Sequence, residues 1–186
     1  MTIKEDDVQQ LVRQVVNRVL AERNAPATAS SPAASPKTVA LGADHGGLAM
    51  KQDLAKYLVE LSYAVNDCGT FTPDPVDYPD IAYAVAKLVS DGAAWRGVII
   101  DGAGIGSAMV ANKVPGVRAA LCYDLSTARN AREHNDANVL TLGARLIGGG
   151  LARDIVKVFL ETECTEDRHK KRVEKIMQVE RRFLRK

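Results

Sequence analysis

Three cysteines (Cys68, Cys122 and Cys164) are too few, too scattered and the wrong parity for a disulfide framework, and no Cys-x-x-Cys pair offers zinc ligands. A reducing, cytoplasmic setting is expected. Aromatic residues make up only 5% of the chain, and no nucleic-acid recognition motif accompanies its basic residues, so a nucleic-acid role is not expected. Neither sign of charge dominates: 25 basic against 23 acidic residues leave +2, which gives no global pull toward polyanions or membranes. No stretch approaches the ~20 apolar residues of a membrane span. The basic start and unbroken apolar run of a signal peptide are also missing.

What is present fits one α/β domain with a buried core plus a small appendage. Residues 1–24 form the appendage. Val8, Leu11, Val12, Val15, Val16, Val19 and Leu20 follow the i, i+3, i+4 spacing of a single apolar helix stripe. Thr2 and Glu5 have capping-box spacing at its start. Residues 25–37, rich in Pro, Ala and Ser, cannot pack a core and are expected to be a flexible tether. A terminal amphipathic helix on such a tether suits docking on an apolar surface elsewhere. Without Trp or Phe, and with a polar face that is not strongly basic, it does not suit a membrane.

Residues 38–186 alternate short apolar runs with helical segments. Strands are expected at Thr38–Ala43, Tyr63–Asp67, Gly97–Asp101, Arg118–Cys122 and Val139–Leu142. Helices are expected at Leu48–Leu61, Tyr78–Ser90, Gly106–Lys113, Leu125–His134 and Gly148–Leu160, with a basic helix at the C-terminus. Continuously apolar strands separated by helices predict a five-stranded parallel sheet covered on both faces, a Rossmann-like three-layer α/β/α sandwich. Such sheets bind ligands at the carboxyl ends of their strands. There the sequence carries Asp44-His45-Gly46-Gly47, Asp67-Cys68-Gly69-Thr70, Asp101-Gly102-Ala103-Gly104-Ile105-Gly106 and Gly143-Ala144-Arg145. Gly102–Gly106 does not make a dinucleotide fingerprint, because the third glycine falls one place early. Cys68 and Cys122 flank strand ends and read first as small buried hydrophobes, with Cys68 also lying in a site loop.

Seven short blocks, in order, then carry a resemblance: Gly42-Ala-Asp-His-Gly-Gly47, Asp67-Cys-Gly-Thr70, Asp77-Tyr-Pro79, Gly102-Ala-Gly-Ile-Gly106, Ala111-Asn-Lys113, His134-Asn-Asp-Ala-Asn138 and Arg168-His169 with Arg172. From about Thr38 to Arg172 the chain resembles the ribose-5-phosphate isomerase B and galactose-6-phosphate isomerase family. The resemblance implies interconversion of aldose and ketose phosphates through an enediol(ate), with neither metal nor cofactor, in sites shared between two subunits of a homodimer or homotetramer. It places Asp44 and His45 at the sugar and phosphate, Tyr78 on the pocket wall, and His134 with Asn135 at ring opening. Gly102, Ala103, Gly104, Ile105 and Gly106 become a backbone cradle for the enediolate oxygen. Arg168 and Arg172 of a partner subunit, with Arg145, become phosphate ligands; His169 belongs either to the site or to a solvated helix face. The chemistry asks for such groups independently: cations or amides for a phosphate, a histidine for proton shuttling near neutrality, fixed donors for an oxyanion.

In two respects the chain departs from the family pattern. Many members end the third strand with a proton-moving cysteine followed two places later by Thr or Ser, and another branch uses a glutamate further along the loop. Here those positions hold Asp101, Ala103 and Ser107. Asp101 is therefore the expected catalytic base, with His134 as its companion. The alternatives are an isomerase of another sugar phosphate (a hexose or deoxy-sugar), or a non-catalytic sugar-phosphate-binding or assembly subunit. The N-terminal helix and tether resemble the encapsulation peptides of bacterial microcompartment cargo. That resemblance implies a shell or cargo protein as partner and a place inside such a compartment in the cytoplasm.

Overall fold

A computed structural model of the protein describes residues 37–184. The amphipathic stretch expected at 1–24 and the tether up to Pro36 lie outside the described residues. The elements are β1 (Thr38–Ala43), α1 (Leu48–Glu60), β2 (Ala64–Asp67), α2 (Tyr78–Ser90), β3 (Arg96–Asp101) and α3 (Ile105–Ala111). They continue with β4 (Ala119–Leu121), α4 (Leu125–Asn135), β5 (Val139–Gly143), α5 (Gly149–Glu161) and α6 (Asp167–Leu184). All five strands run parallel in the order β2-β1-β3-β5-β4.

Because strand side chains alternate, the apolar runs feed two separate cores. Val39, Leu41, Val98, Ile100, Leu140 and Leu142 face one way, packing on Leu54 and Leu58 of α1, Ala128 of α4 and Ile155 and Phe159 of α5. Ala40, Ile99 and Val139 face the other way, against Ala82, Val85 and Val89 of α2 and Ala111 of α3. Each fully buried aliphatic side chain contributes about 1.5–3 kcal/mol, most of it offset by the entropy of ordering the chain. Expected and observed elements differ by a few residues at most. α3 ends early because Asn112 is drawn into strand pairing: its side chain donates to the carbonyl of Ala119 and accepts from the Ala119 amide, both at 2.9 Å.

The topology sets two ends apart. From β1 the chain leaves toward β2, and from β3 it leaves toward β4, so a crevice opens between the C-terminal ends of β1 and β3. Asp44 and Asp101 stand there, and the Asp44 amide donates to the carbonyl of Ile100 at 3.1 Å. α4 runs back to the N-terminal edge of the sheet. There Asn138 accepts from the amide of Arg118 at 2.7 Å through its side chain, and from that of Gly97 at 2.9 Å through its carbonyl. The four residue-to-residue steps from Gly97 to Asp101 span about 13 Å. The end of α4 and the crevice thus lie at opposite edges of the same sheet.

Candidate active site

The Asp101 loop is fixed from every side. Asp101, 5% exposed, accepts the Ala103 amide at 2.8 Å and the Gly104 amide on Oδ1. Its Oδ2 accepts the Ser107 amide at 3.0 Å and the Ser107 hydroxyl at 2.5 Å. The loop carbonyls are held by neighbours. Thr141 Oγ1 donates to Gly104 at 2.8 Å, Tyr123 Oη to Ala103 at 2.8 Å, and the amides of Ala144 and Arg145 donate to Asp101 and Gly102 at 2.8 and 3.1 Å. Gly104 sits at φ 76°, a left-handed conformation that glycine adopts without strain. A side chain at Gly106 would come within 2.5 Å of the Tyr78 ring, so Tyr78 lies directly on the loop.

This geometry corrects one sequence expectation. The amides of Ala103 and Gly104 are turned inward onto Asp101, and that of Ser107 joins them. They are not free to cradle a ligand oxygen, whichever amides of the Gly102–Gly106 stretch do so.

Around the loop stand the other residues expected at this end. His45 is exposed, and its Nδ1 accepts the Val76 amide at 3.3 Å. A neutral His45 ring therefore carries its proton on Nε2, which leaves a donor for an incoming anion. Arg145 is exposed, with its Cδ 3.7 Å from where a Cβ on Gly102 would lie. Asp67 is engaged: both its oxygens are 2.6 Å from Lys51 Nζ, and Oδ1 also accepts the Gly69 amide at 2.9 Å. Burial pushes the Cys68 thiol up, with Asp67 adding to it, and pushes Cys122 up to about 11. Neither cysteine is poised to be a thiolate near neutrality.

His134, Asn135, Arg168 and Arg172 gather at the opposite edge. The His134 and His169 rings stack at 4.2 Å with an interplanar angle of 18°. His134 Nδ1 is 2.9 Å from the Asn130 side-chain amide. Arg168 is exposed and pairs with Glu166 at 2.5 Å, and Arg172 is exposed one turn further along α6. His169 is 2% exposed, and among the described residues neither of its ring nitrogens has a hydrogen-bond partner. Burial first, and then the neighbouring His134, lower its pKa. The residues expected in one site therefore fall into two groups on a single chain: Asp44, His45, Tyr78, the 101–107 loop and Arg145 at one edge, and His134, Asn135, Arg168 and Arg172 at the other.

Much of the His-Asn-Asp-Ala-Asn block holds the end of α4 in place. Asp136 ends α4 at φ 46°. Arg132 Nη1 donates to its Oδ1 at 2.7 Å and Arg118 Nη2 to its Oδ2 at 3.1 Å. Sequence reasoning left both arginines out. A basic residue four places before Asp136 on the same helix was the available signal for Arg132; nothing local marked Arg118.

A doubly wound parallel sheet with carboxylates, a histidine and a glycine-rich turn at its switch point defines a class of small-molecule enzymes. Within that class, residues 39–176 match the family model described as Ribose/Galactose Isomerase, and the chain belongs to that family of sugar-phosphate isomerases. The chain is 40% identical over 146 residues to ribose-5-phosphate isomerase B of Escherichia coli, covering 78% of this chain and 98% of that one. It is also 40% identical over 143 residues to D-erythrulose-4-phosphate isomerase of Pectobacterium atrosepticum, covering 75% and 92%. The solved structure of Clostridium thermocellum ribose-5-phosphate isomerase B superposes with a TM-score of 0.77 at 45% identity, covering 78% and 99%. The fold expected from the sequence is the fold observed, and the enzyme class, an aldose–ketose isomerase, stands with it.

Proposed function

We propose that the protein interconverts ribose 5-phosphate and ribulose 5-phosphate through an enediol(ate), in sites built by two copies of the chain. The observation that carries this reading is the convergence of Asp44, His45, Arg145 and the 101–107 loop on one crevice of a sugar-phosphate isomerase fold. His45 and Arg145 hold the phosphate together with Arg168 and Arg172 of a second copy. His134 of that copy opens the ring, with Asn135 beside it. A carboxylate in the crevice then carries the proton between C1 and C2, with no step assigned to a metal.

Pairing of copies is supported by the separation of the half-sites and by an open apolar cleft of about 1060 Å³. The cleft runs between the free edge of β4, α4 and α6, where Leu121, Ile176, Val179 and Phe183 line it, and it reaches Asn130 and Asn135 beside His134. Ile105 and Met109, 47% and 63% exposed on α3 next to the Asp101 loop, are apolar groups that such a cleft could cover. An isologous pair would then bring each loop to the other chain's His134.

The test is ribose 5-phosphate with purified protein in deuterated water, followed by NMR. Ketose formation with deuterium entering at carbon supports the reading; saturable binding without exchange supports the non-catalytic alternative. Equal identity to a pentose- and a tetrose-phosphate isomerase favours a second reading, a different sugar phosphate in the same crevice. Erythrulose 4-phosphate, hexose and deoxy-sugar phosphates therefore belong in the panel.

We further propose that residues 1–24 address the enzyme to a bacterial microcompartment through a shell or cargo protein, on the strength of the valine and leucine stripe and the tether. Deleting residues 1–24 is expected to leave turnover intact and to abolish co-assembly with shell proteins. Lost turnover would oppose this assignment.

A further inference from the structure

Carboxylates follow four of the five strands, and their surroundings divide them. Asp124, after β4, accepts the Thr127 amide at 2.8 Å in a capping box that starts α4. Asp67, at the end of β2, is neutralised by buried Lys51. Asp101, at the end of β3, receives four donors, one for each lone pair that a carboxylate offers in its plane. Three of these are backbone amides that cannot turn away without remaking the loop, and the side chain is buried. To accept a proton from carbon, Asp101 would first have to lose a hydrogen bond and then meet a substrate that its own loop walls off.

Asp44 differs on each count. Its Oδ1 accepts one amide, that of Gly47 at 3.0 Å. Among the described residues no donor faces its Oδ2, and the side chain is partly open to the crevice. The Asp44 amide bonds to the carbonyl beside Asp101, so its backbone is held at the switch point while half of its carboxylate stays free.

We infer that the two carboxylates divide the work: Asp44 is the catalytic base, and Asp101 is a positioning residue that ties down the 102–107 loop. The inference rests on the isomerase reading and changes its chemistry from the one expected from sequence. In the aldose-to-ketose direction Asp44 Oδ2 takes the proton from C2. The C–H electron pair becomes the C1–C2 double bond, and the carbonyl electrons move onto O1. The same carboxyl then returns the proton to C1, while the O2 hydroxyl proton passes to O1 and C2 closes to the ketone. Asp44 ends as the carboxylate it began as.

The experiment compares Asp44→Asn and Asp101→Asn in the full-length protein. Three quantities are read: hydrogen exchange at C2 of ribose 5-phosphate, the separate kcat and KM, and amide exchange of residues 102–107. Asp44→Asn is expected to slow C2 exchange at least ~10³-fold, within the range for loss of a general base, with KM within about threefold. Asp101→Asn places an NH₂ against amide donors. Loop protection is expected to fall and KM to rise about tenfold, while C2 exchange persists at roughly 1–10% of the original rate. The inference is overturned if Asp101→Asn abolishes exchange with KM and loop protection unchanged. It is also overturned if Asp44→Asn keeps exchange within about tenfold. Should the unaltered protein exchange no proton of any sugar phosphate in the panel, the isomerase reading fails and the role of Asp44 falls with it. The loop-holding role of Asp101 is still decided by amide exchange.

Discussion

The two edges of the sheet hold their functional side chains by different means. At the C-terminal edge the Asp101 loop is a backbone object: its amides close on one carboxylate, and its carbonyls are met by Thr141, Tyr123 and the residues that follow β5. At the N-terminal edge the holding is done by long cations. Arg132 donates to the carbonyls of Thr162 at 3.1 Å and Ala137 at 2.6 Å, besides Asp136. Arg96, 2% exposed, donates to the carbonyls of Phe159 and Leu160 at 2.7 Å, where it also complements the C-terminal dipole of α5. Burial lowers the pKa of Arg96 to about 10, with Arg132 next to it contributing. Backbone closure gives an edge with few alternative arrangements. Arginine bracing gives an edge whose groups stay extended toward whatever approaches. The second description suits the proposed completion of this edge by another copy.

The largest expected effect breaks the comparison outright. If the edges meet only across two copies, Asp44→Asn and His134→Asn are each expected to lose about 10³-fold in turnover. Mixed after partial unfolding and refolding, the two inactive chains should recover about a quarter of the original sites, because each hybrid pair holds one intact site. Rate measurement on mixtures of varying ratio checks this. No recovery, with hybrid pairs demonstrated by mass spectrometry, would place both edges of a working site on one chain.

Next in size is a change at the braced edge. Arg132→Met keeps the bulk of the side chain but strips the donors from two carbonyls and Asp136. It is expected to lower stability by about 2–4 kcal/mol in urea unfolding, with amide protection of residues 102–107 preserved at low denaturant. A matching change at the other edge is smaller. Thr141, fully buried, gives one hydroxyl to Gly104. Thr141→Val is expected to cost about 1–2 kcal/mol, and to raise KM by slackening the loop while leaving the His134 edge untouched. If Arg132→Met loosens the loop as much as Thr141→Val does, the two edges are one cooperative unit and the contrast between them is wrong.

Periodicity made the sheet legible, because both cores come from unbroken runs such as Val39–Ala43 and Val98–Ile100 that no other element would bury so fully. The glycine-rich turn and its Asp were legible as a site for the same reason. What the sequence hid was the direction of polar groups. Asp101 reads as a base because it stands where the resemblance implies a proton-moving cysteine; only the fold reveals that the loop's amides turn back on it. Asn112 and Asn138, written in motif blocks, pair with backbone at the β4 region. Lys51, a lysine within α1, is 1% exposed and clamps Asp67. Such partners are far apart in the chain, so no local pattern announces them.

The smallest expected effect concerns the stacked histidines. His134, Arg168 and Arg172 all disfavour a charge on His169, burial disfavours it most, and Glu166, 3.7 Å away, favours it. The net direction is a folded pKa below the ordinary 6.5. Between the two values the unfolded chain binds more protons than the folded one, so stability rises with pH there. The contribution is whole above the ordinary value and is lost as pH falls through the folded one. Replacing the ring by phenylalanine, which can keep the stack on His134, removes the titration without removing the packing. Urea midpoints of His169→Phe are therefore expected to depend less on pH, between about 7 and about 5.5, than those of the unaltered protein. An unchanged slope would mean that His169 takes up its proton equally in the folded and unfolded chains over this range, and that the acid sensitivity of this edge comes from Glu166, whose pKa is held down chiefly by its hydrogen bond from Arg168 and whose titration lies lower still.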